Sequence, residues 1–567
     1  MGKHRAREPG TTARGSAAAV KPKPGEPAGP GAKLSKPKPV EPAGPGAKLS
    51  KQQKRDLKRA EKSREMQSRG GGGRPPASES SAVGAVSAYK RVPVYPRVPA
   101  VPEWAKSLGR FLTPKDGQVF QDVKKHAYDL FALDEPAKFS DSRFHAPFQR
   151  ALLGLEERGF YQFDFTQPAG LGTKVAKTYV TRCLVGKPGI TYKYLGLRMF
   201  ALPWCEGETG ADEHMVQIGR LNSDLAKRTA SLTSTSSSSS FNLTLINRCA
   251  PCDETLKEEP MYGPPERITV SWHADSSLQH YSSIAVYHFC SAVDDESWRI
   301  ALRVVPNAEG PSAGKKISQQ ETDELMSIPA LAQPLASGSV YYLLDEFNHH
   351  HQHSVLAGGC ERYGSTHRVS REEGHTYQWI QTRALSALRE GSGASAKVIR
   401  VQQLALVELE FEWLRQFFIQ GEKHFKLHVW WHQPMKDLLS LHNQLELNFY
   451  KQIATLLDVE CVNALTKTVD PRSWESKEEK RAYQKRARKV ALVTEESFTN
   501  AIEFLRERQI KREGWKQREQ DSIFKTAPKD CRPMRVPWSE VQHTLAQETL
   551  STLISRLEGE KAKFCKA

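Results

Sequence analysis

The chain has 567 residues and carries 82 Lys+Arg against 65 Asp+Glu, a net charge of +17. The excess is uneven: residues 1–90 hold 20 Lys+Arg and 7 Asp+Glu, so a basic tail precedes a nearly neutral body, long enough for one large core or two ordinary ones. No run reaches the ~18 apolar residues of a membrane helix, the N-terminus shows no apolar signal-peptide core, and nine cysteines, sparse and odd in number, argue against a disulfide framework and for a reducing compartment.

The opening residues are rich in Gly, Pro, Lys and Ser and poor in aromatics. They cannot bury enough apolar area to offset ordering entropy, so 1–98 is expected to be a disordered tail. Within it KPKPGEPAGPGAKLS (21–35) recurs as KPKPVEPAGPGAKLS (36–50), a low-complexity duplication rather than a solenoid unit. The run KQQKRDLKRAEKSREM (51–66) reads as a nuclear-import or phosphate-binding arm, or as a solvated tail.

From about Val101 aromatic and branched residues recur. The segments RCLVG, TYKYLGLRMFALP, FNLTLIN, RITVSWH, SIAVYHF, WRIALRVV, GSVYYLLD and HQHSVLAG alternate and are bounded by turn residues, the pattern of a β-sandwich or barrel. SLTSTSSSSS (231–240) is expected to be an inserted loop. The lone C-x2-C at Cys249 and Cys252 has no second pair at zinc-site spacing and reads as a loop. After about Glu373 the period turns helical. Leu404, Val407, Phe411, Leu414 and Phe418 form one stripe; Leu438, Leu441, Leu445, Phe449, Ile453 and Leu456 form another. The fold class is therefore α+β, with a β domain over 99–372 and a helical bundle over 373–567. The basic run Lys477–Lys489 reads as a solvated helix face in preference to a nucleic-acid patch.

One strand carries a chemical signal. In Ile268–His273, Ile268, Val270 and Trp272 are expected on one face, and Thr269, Ser271 and His273 on the other. The polar face leads into His273-Ala274-Asp275. An H-x-D tripeptide alone is as well explained by a surface turn. About eighty residues later comes NHHHQHSVLAGGCERYGSTHRV (348–369). Two histidines and a carboxylate can occupy one face of an iron(II), leaving positions for a bidentate co-substrate and oxygen. Arg362 and Arg368 add fixed cations suited to a carboxylate. A dicarboxylate held by metal at one end and by arginine at the other is 2-oxoglutarate. Separately the His run could be a loose surface tract and the arginines surface charge; the combination is far more specific. Parity does not choose between His351 and His353, which share a face.

With FLTPKD (111–116), KPGITYKYLGLRMFALPW (187–204), LKEEP (256–260), VSWHAD (270–275), HQHSVLAG (351–358), STHRV (365–369), EFEWLRQF (410–417) and WWHQPM (430–435), the chain resembles the AlkB-like Fe(II)/2-oxoglutarate-dependent nucleic-acid demethylases. The resemblance runs from roughly Phe111 to the C-terminus. It implies a double-stranded β-helix (jelly-roll) dioxygenase domain braced by the helical one. It picks His353 to join His273 and Asp275 on the metal. It places 2-oxoglutarate against Asn242, Tyr341, Arg362, Thr366 and Arg368. It puts the methylated base near Arg182, Tyr194 and Leu195 on one side and Val270 and Ser271 on the other. Val270 would need a bulge to reach that face. Tyr192, beside Tyr194, reads as stacking wall or ordinary core aromatic.

The activity implied is removal of N-methyl groups from bases of single-stranded RNA with Fe(II), 2-oxoglutarate and O2, releasing formaldehyde, succinate and CO2. N6-methyladenosine is the implied substrate, with cap-adjacent N6,2'-O-dimethyladenosine and DNA as further ones; the base must leave the stack to reach a buried metal. The nucleus is the expected location, with the cytoplasm as a second. A dioxygenase of protein side chains or small molecules, and a silent RNA-binding scaffold, are the alternatives; a scaffold has no need of an intact metal and arginine set. Three departures stand out. Gly364 replaces a polar side chain of AlkB-type enzymes, removing a possible hydrogen bond to the co-substrate. Ala274 and Ser276 flank Asp275 where the vertebrate relative has His and Glu. The stretch Pro203–Phe241 is short and Ser-rich.

Overall fold

The computed structural model describes residues 103–106, 108–139, 142–166, 176–194, 197–205, 212–233, 239–292, 297–305, 318–418, 429–458, 476–478, 481, 493–518 and 549–566. The tail 1–98 with its repeat, the Ser-rich tip at 234–238, Leu195 and most of Lys477–Lys489 lie outside them.

In chain order the strands are β1 (Phe131–Asp134), β2 (Gln162–Thr166), β3 (Ala176–Gly186), β4 (Thr191–Tyr194), β5 (Leu197–Phe200), β6 (Leu202–Pro203), β7 (Leu243–Cys249), β8 (Lys257–Glu258), β9 (Arg267–His273), β10 (Ile284–Cys290), β11 (Arg299–Val304), β12 (Leu331–Pro334), β13 (Val340–Leu343), β14 (His351–Leu356) and β15 (Arg362–Arg368). The larger sheet has the order β1-β13-β10-β15-β7-β3-β2, with β6 beside β3. The smaller runs β12-β11-β14-β9-β8, and β4 and β5 form a separate ribbon. Every pairing in the two sheets except β3 with β6 is antiparallel.

The two sheets face each other across one apolar core. Leu245, Val286 and Tyr341 enter it from the larger sheet and Ile300, Leu302 and Val355 from the smaller. This is the jelly roll. The larger sheet's outer face is covered by α2 (Ser142–Glu157) and α3 (Glu213–Leu232), following α1 (Gln118–Ala127). Hence β10, IAVYHFC, is buried on both faces: Val286 points between the sheets, Ala285, Tyr287 and Phe289 beneath the helices. α3 begins on Asp212, whose side chain accepts from the His214 N–H at 2.8 Å, a sound N-cap.

The C-terminal helices are α4 (Tyr377–Arg389), α5 (Ala396–Val407), α6 (Val429–Leu456), α7 (Glu495–Arg518) and α8 (Leu550–Lys566). Their core includes Leu438, Leu445, Phe449 and Ile453 of the expected second stripe. In the first stripe Phe411 and Leu414 are buried and Val407 and Phe418 pack against the core, but Leu404 needs correction. Leu404 is 52% exposed, while Leu406, Leu409 and Trp413 are buried. The cause is a π-helical stretch, Glu408–Leu414, that continues α5. A π turn takes an extra residue, so a stripe counted on 3.6 residues per turn loses phase across it.

Two further expectations are corrected. Ile268 and Trp272 pack with Phe111 on the outer side of the smaller sheet, but Val270 packs against the inter-sheet core. The register explains this: His353 pairs with His273, Val355 with Val270 and Leu356 with Ile268, so β9 carries extra residues against β14. Such bulges reverse side-chain parity. The cysteines are not all free either. Cys290, at the end of β10, is bonded to Cys360, just before β15.

The β4–β5 ribbon belongs to both domains. Thr191 donates from its N–H and its hydroxyl to the His375 carbonyl, each at 2.8 Å. Lys193 pairs with Glu412 at 2.6 Å. The Arg198 guanidinium donates to the Glu412 carbonyl at 2.6 Å and lies 4.2 Å from the Trp413 ring centre. Phe200 is counted in the helical core, and Trp431 donates to the Ala201 carbonyl at 2.7 Å.

Candidate metal centre and co-substrate site

The end of β9 and the start of β14 bring His273, Asp275 and His353 together, with one potential ligand atom from each lying within 4.8 Å of the others. His273 Nδ1 faces the Ser271 carbonyl at 2.8 Å, and its Nε2 lies 3.5 Å from Asp275 Oδ1. Donation from Nδ1–H to that carbonyl leaves the Nε2 lone pair turned toward the carboxylate, the arrangement a metal-ligating imidazole needs. Burial pushes the His353 imidazole down to about 3, helped by His273, so it stays neutral and ligand-competent. Burial works against an ionised Asp275, but Arg368 beside it, with the two imidazoles, holds its carboxyl well below the usual range. Arg368 Nε is 2.9 Å from Asp275 Oδ2. Two imidazoles and one carboxylate fit a divalent iron and leave ligand positions open.

The parity tie between the histidines is broken by their partners. His351 Nε2 faces the Ala127 carbonyl at 2.8 Å and Nδ1 the Phe347 carbonyl at 3.1 Å. Its ring stacks on Phe347, with centroids 4.1 Å apart. His351 therefore seals α1 against β14, and His353 faces His273.

β15 supplies the arginines. In its alternation Arg362, Gly364, Thr366 and Arg368 face the inter-sheet side, while Tyr363, Ser365 and His367 face α2 and α3. Thr366 lies beside Val286, which lies beside Tyr341, so these two expected co-substrate residues flank one row. Arg362 is 2% exposed, and among the described residues no carboxylate lies at ion-pair distance from it. A buried guanidinium with no protein anion suits an anionic ligand. Asn242 is differently engaged from the expectation: its amide closes on the Ser370 backbone in both directions, at 2.8 and 3.2 Å.

The base-side residues divide. Arg182, 4% exposed, lies on β3 in register with Asn247, itself in register with Gly364, so it belongs to the same inward row. Ser271 is exposed and Val270 half-buried on β9, beside the half-exposed His273. Tyr194 ends β4, and Leu195 is outside the described residues. Tyr192 is core rather than stacking wall: it is 1% exposed, with the Arg368 guanidinium 5.1 Å from its ring centre.

Sequence reasoning missed Asn348. Its Oδ1 accepts the Asp275 N–H at 2.9 Å and its Nδ2 donates to the Asp275 carbonyl at 2.7 Å, which fixes the loop bearing the carboxylate. It stands at the head of the histidine run, where the histidines drew the eye. His288 was also missed, in a strand that reads as plain apolar core.

Two family models match the chain: the FTO catalytic domain over residues 118–371 and the FTO C-terminal domain over 375–559. The alpha-ketoglutarate-dependent dioxygenase FTO of Xenopus laevis is 28% identical over 516 residues, covering 79% of this chain and 92% of that protein. A 2OG-Fe(II) oxygenase-family oxidoreductase from Burkholderia pseudomallei overlaps 45% of this chain and 93% of its own, at 15% identity and a TM-score of 0.25. OsALKBH1 overlaps 42% and 97%, at 11% identity and a TM-score of 0.23.

Proposed function

The chain belongs to the FTO family, and from that premise we propose that it demethylates N6-methyladenosine in single-stranded RNA. Membership makes it a 2-oxoglutarate-dependent dioxygenase; the choice of substrate is our reading. The observation that carries it is the joining of His273, Asp275 and His353 in a chain that has both FTO domains.

These three residues would hold Fe(II), and Arg362 and Arg368 lie on one face of β15 to receive the co-substrate. When bound, metal, 2-oxoglutarate and O2 supply the oxidation of an N-methyl carbon that no protein side chain could perform. The chain's own residues orient and exclude water. Arg368 keeps Asp275 ionised and Asn348 fixes its backbone. Asp275 and His353 are buried while His273 is partly exposed, so the site opens on the His273 side. An N-methyl group on a stacked base cannot reach such a centre, so an unpaired base is favoured. Exposed Ser271 and the end of the β4–β5 ribbon are where a base would enter. Cap-adjacent N6,2'-O-dimethyladenosine and DNA are further substrates in this reading, and the basic run 51–66 supports action in the nucleus, with the cytoplasm second.

The test is nucleoside mass spectrometry of an N6-methyladenosine RNA incubated with protein, Fe(II), ascorbate and 2-oxoglutarate. Conversion to adenosine by the wild type but not by His273→Ala is expected. Succinate without conversion would retain the dioxygenase and discard the substrate.

A further inference from the structure

Arg362 is held in an unusual way. A Cβ at Gly364 would lie 2.6 Å from Arg362 Nη1 and 2.9 Å from Cζ and Nη2. The guanidinium is thus folded along its own strand into the space that Gly364 vacates. The glycine serves room rather than backbone freedom. On the flank, Arg362 Nε donates to His288 Nδ1 at 3.0 Å. His288 is 0% exposed and is the register partner of Gly364 on β10. On the other flank Nη1 lies 3.9 Å from Cys249 Sγ, and the Trp298 ring centre is 5.7 Å away.

A histidine that accepts at Nδ1 carries its proton on Nε2. Burial, and the charge of Arg362, keep this imidazole well below its ordinary value, so it is a neutral acceptor throughout the physiological range. An arginine that gives up its Nε–H to a fixed acceptor has its plane set, and its terminal nitrogens keep N–H groups for a carboxylate fork beyond the long Nη1 contact to Cys249 Sγ.

We propose that His288 is a positioning residue for the co-substrate arginine, orienting Arg362 over Gly364 so that its terminal nitrogens meet the carboxylate of 2-oxoglutarate that the metal does not hold. The inference rests on the dioxygenase reading and goes beyond its known arginines.

The experiment titrates 2-oxoglutarate into the full chain loaded with Mn(II), followed calorimetrically, for the wild type, His288→Leu, His288→Asn and Gly364→Ala. Loss of a hydrogen bond to a charged group should weaken 2-oxoglutarate about tenfold in His288→Leu. His288→Asn, whose side-chain oxygen replaces the Nδ1 acceptor, should stay near the wild type. Gly364→Ala should weaken binding by displacing the guanidinium. In turnover, KM for 2-oxoglutarate should rise with a much smaller change in kcat. Mn(II) affinity and the thermal midpoint should remain close among the His288 variants. Equal weakening of the leucine and asparagine variants, no weakening of either, or a parallel loss of Mn(II) would overturn the proposal. A wild type that binds 2-oxoglutarate but leaves methylated RNA untouched sinks the demethylase and leaves this inference standing. A wild type that does not bind it overturns both.

Discussion

His273 and His353 are register partners across β9 and β14, with ring centroids 4.2 Å apart. Two imidazoles brought so close beside a buried carboxylate are arranged for a shared cation rather than for each other. His353→Ala should therefore abolish 2-oxoglutarate turnover and Mn(II) binding while leaving circular dichroism unchanged. His351→Ala should keep metal binding and lose about 1–3 kcal/mol of stability, from the two carbonyls and the stacked Phe347 it leaves behind. Metal titration and thermal melts of both variants separate the roles; a reversal of the two phenotypes would mean the wrong histidine has been assigned.

Arg198→Ala should weaken RNA turnover without changing 2-oxoglutarate affinity. The guanidinium ties the ribbon to the helical domain through Glu412, Gly374 and the Trp413 ring, and braces it internally through Thr191. Losing a buried group with that many partners costs on the order of 3 kcal/mol. Lys193→Ala, whose pair with Glu412 is about one-third exposed, should cost ~0.5–1 kcal/mol. Paired measurements of 2-oxoglutarate and RNA KM check the separation; equal effects on both would mean that loosening the ribbon reaches Arg368 through Tyr192, 5.1 Å from its guanidinium.

Acid should destabilise the protein well before its carboxylates protonate. Burial pushes His353 and His367 down to about 3, and His350, His351 and His375 down to about 4. In the unfolded chain each takes a proton near pH ~6.5. Between those values the unfolded state binds more protons, so stability rises with pH and is lost as pH falls below ~6.5. Thermal midpoints taken from pH 7.5 to 5 should decline across that window. A flat profile would mean these rings are not held neutral.

Glu410→Gln should loosen the helical domain by ~3–5 kcal/mol. Its buried carboxylate faces Arg415 at 3.0 Å, Arg508 at 2.8 Å and Arg512 at 2.7 Å. Burial opposes its charge, but these guanidinium groups hold the carboxyl well below the usual range. The neutral amide removes the charge the three share, although Arg508 keeps Glu446 at 2.6 Å. A chemical-denaturation midpoint within error of the wild type would show that water or a rearranged partner takes over.

Much of the site was legible because metal chemistry demands particular side chains. The H-x-D pair and the histidine run carried their own signal, as did the leucine stripe of α6. What stayed hidden had no such demand. β15, RYGSTHR, is a buried strand without an apolar pattern: its inward face is the arginine row, and its outward His367 is satisfied by Thr244 at 2.8 Å and Asn222 at 3.0 Å. α3 runs into the Ser-rich loop that masked it, although it buries Met215, Ile218, Leu221 and Leu225 at helical spacing. The parity error at Val270 and the phase error at Leu404 share a cause, since bulges and π turns add residues that a periodic count cannot see.

The ribbon between β3 and β6 has a further consequence. Its side chains finish the interior of the helical bundle, yet its ends are anchored in the jelly roll. A cut between residues 372 and 373 would leave Phe200 bare on one fragment and an empty socket beside Trp413 and Trp431 on the other. The two halves of this chain thus share one interior: a substitution in the bundle that reshapes the socket shifts the ribbon, and with it Tyr192 beside Arg368, with none of His273, Asp275 and His353 touched.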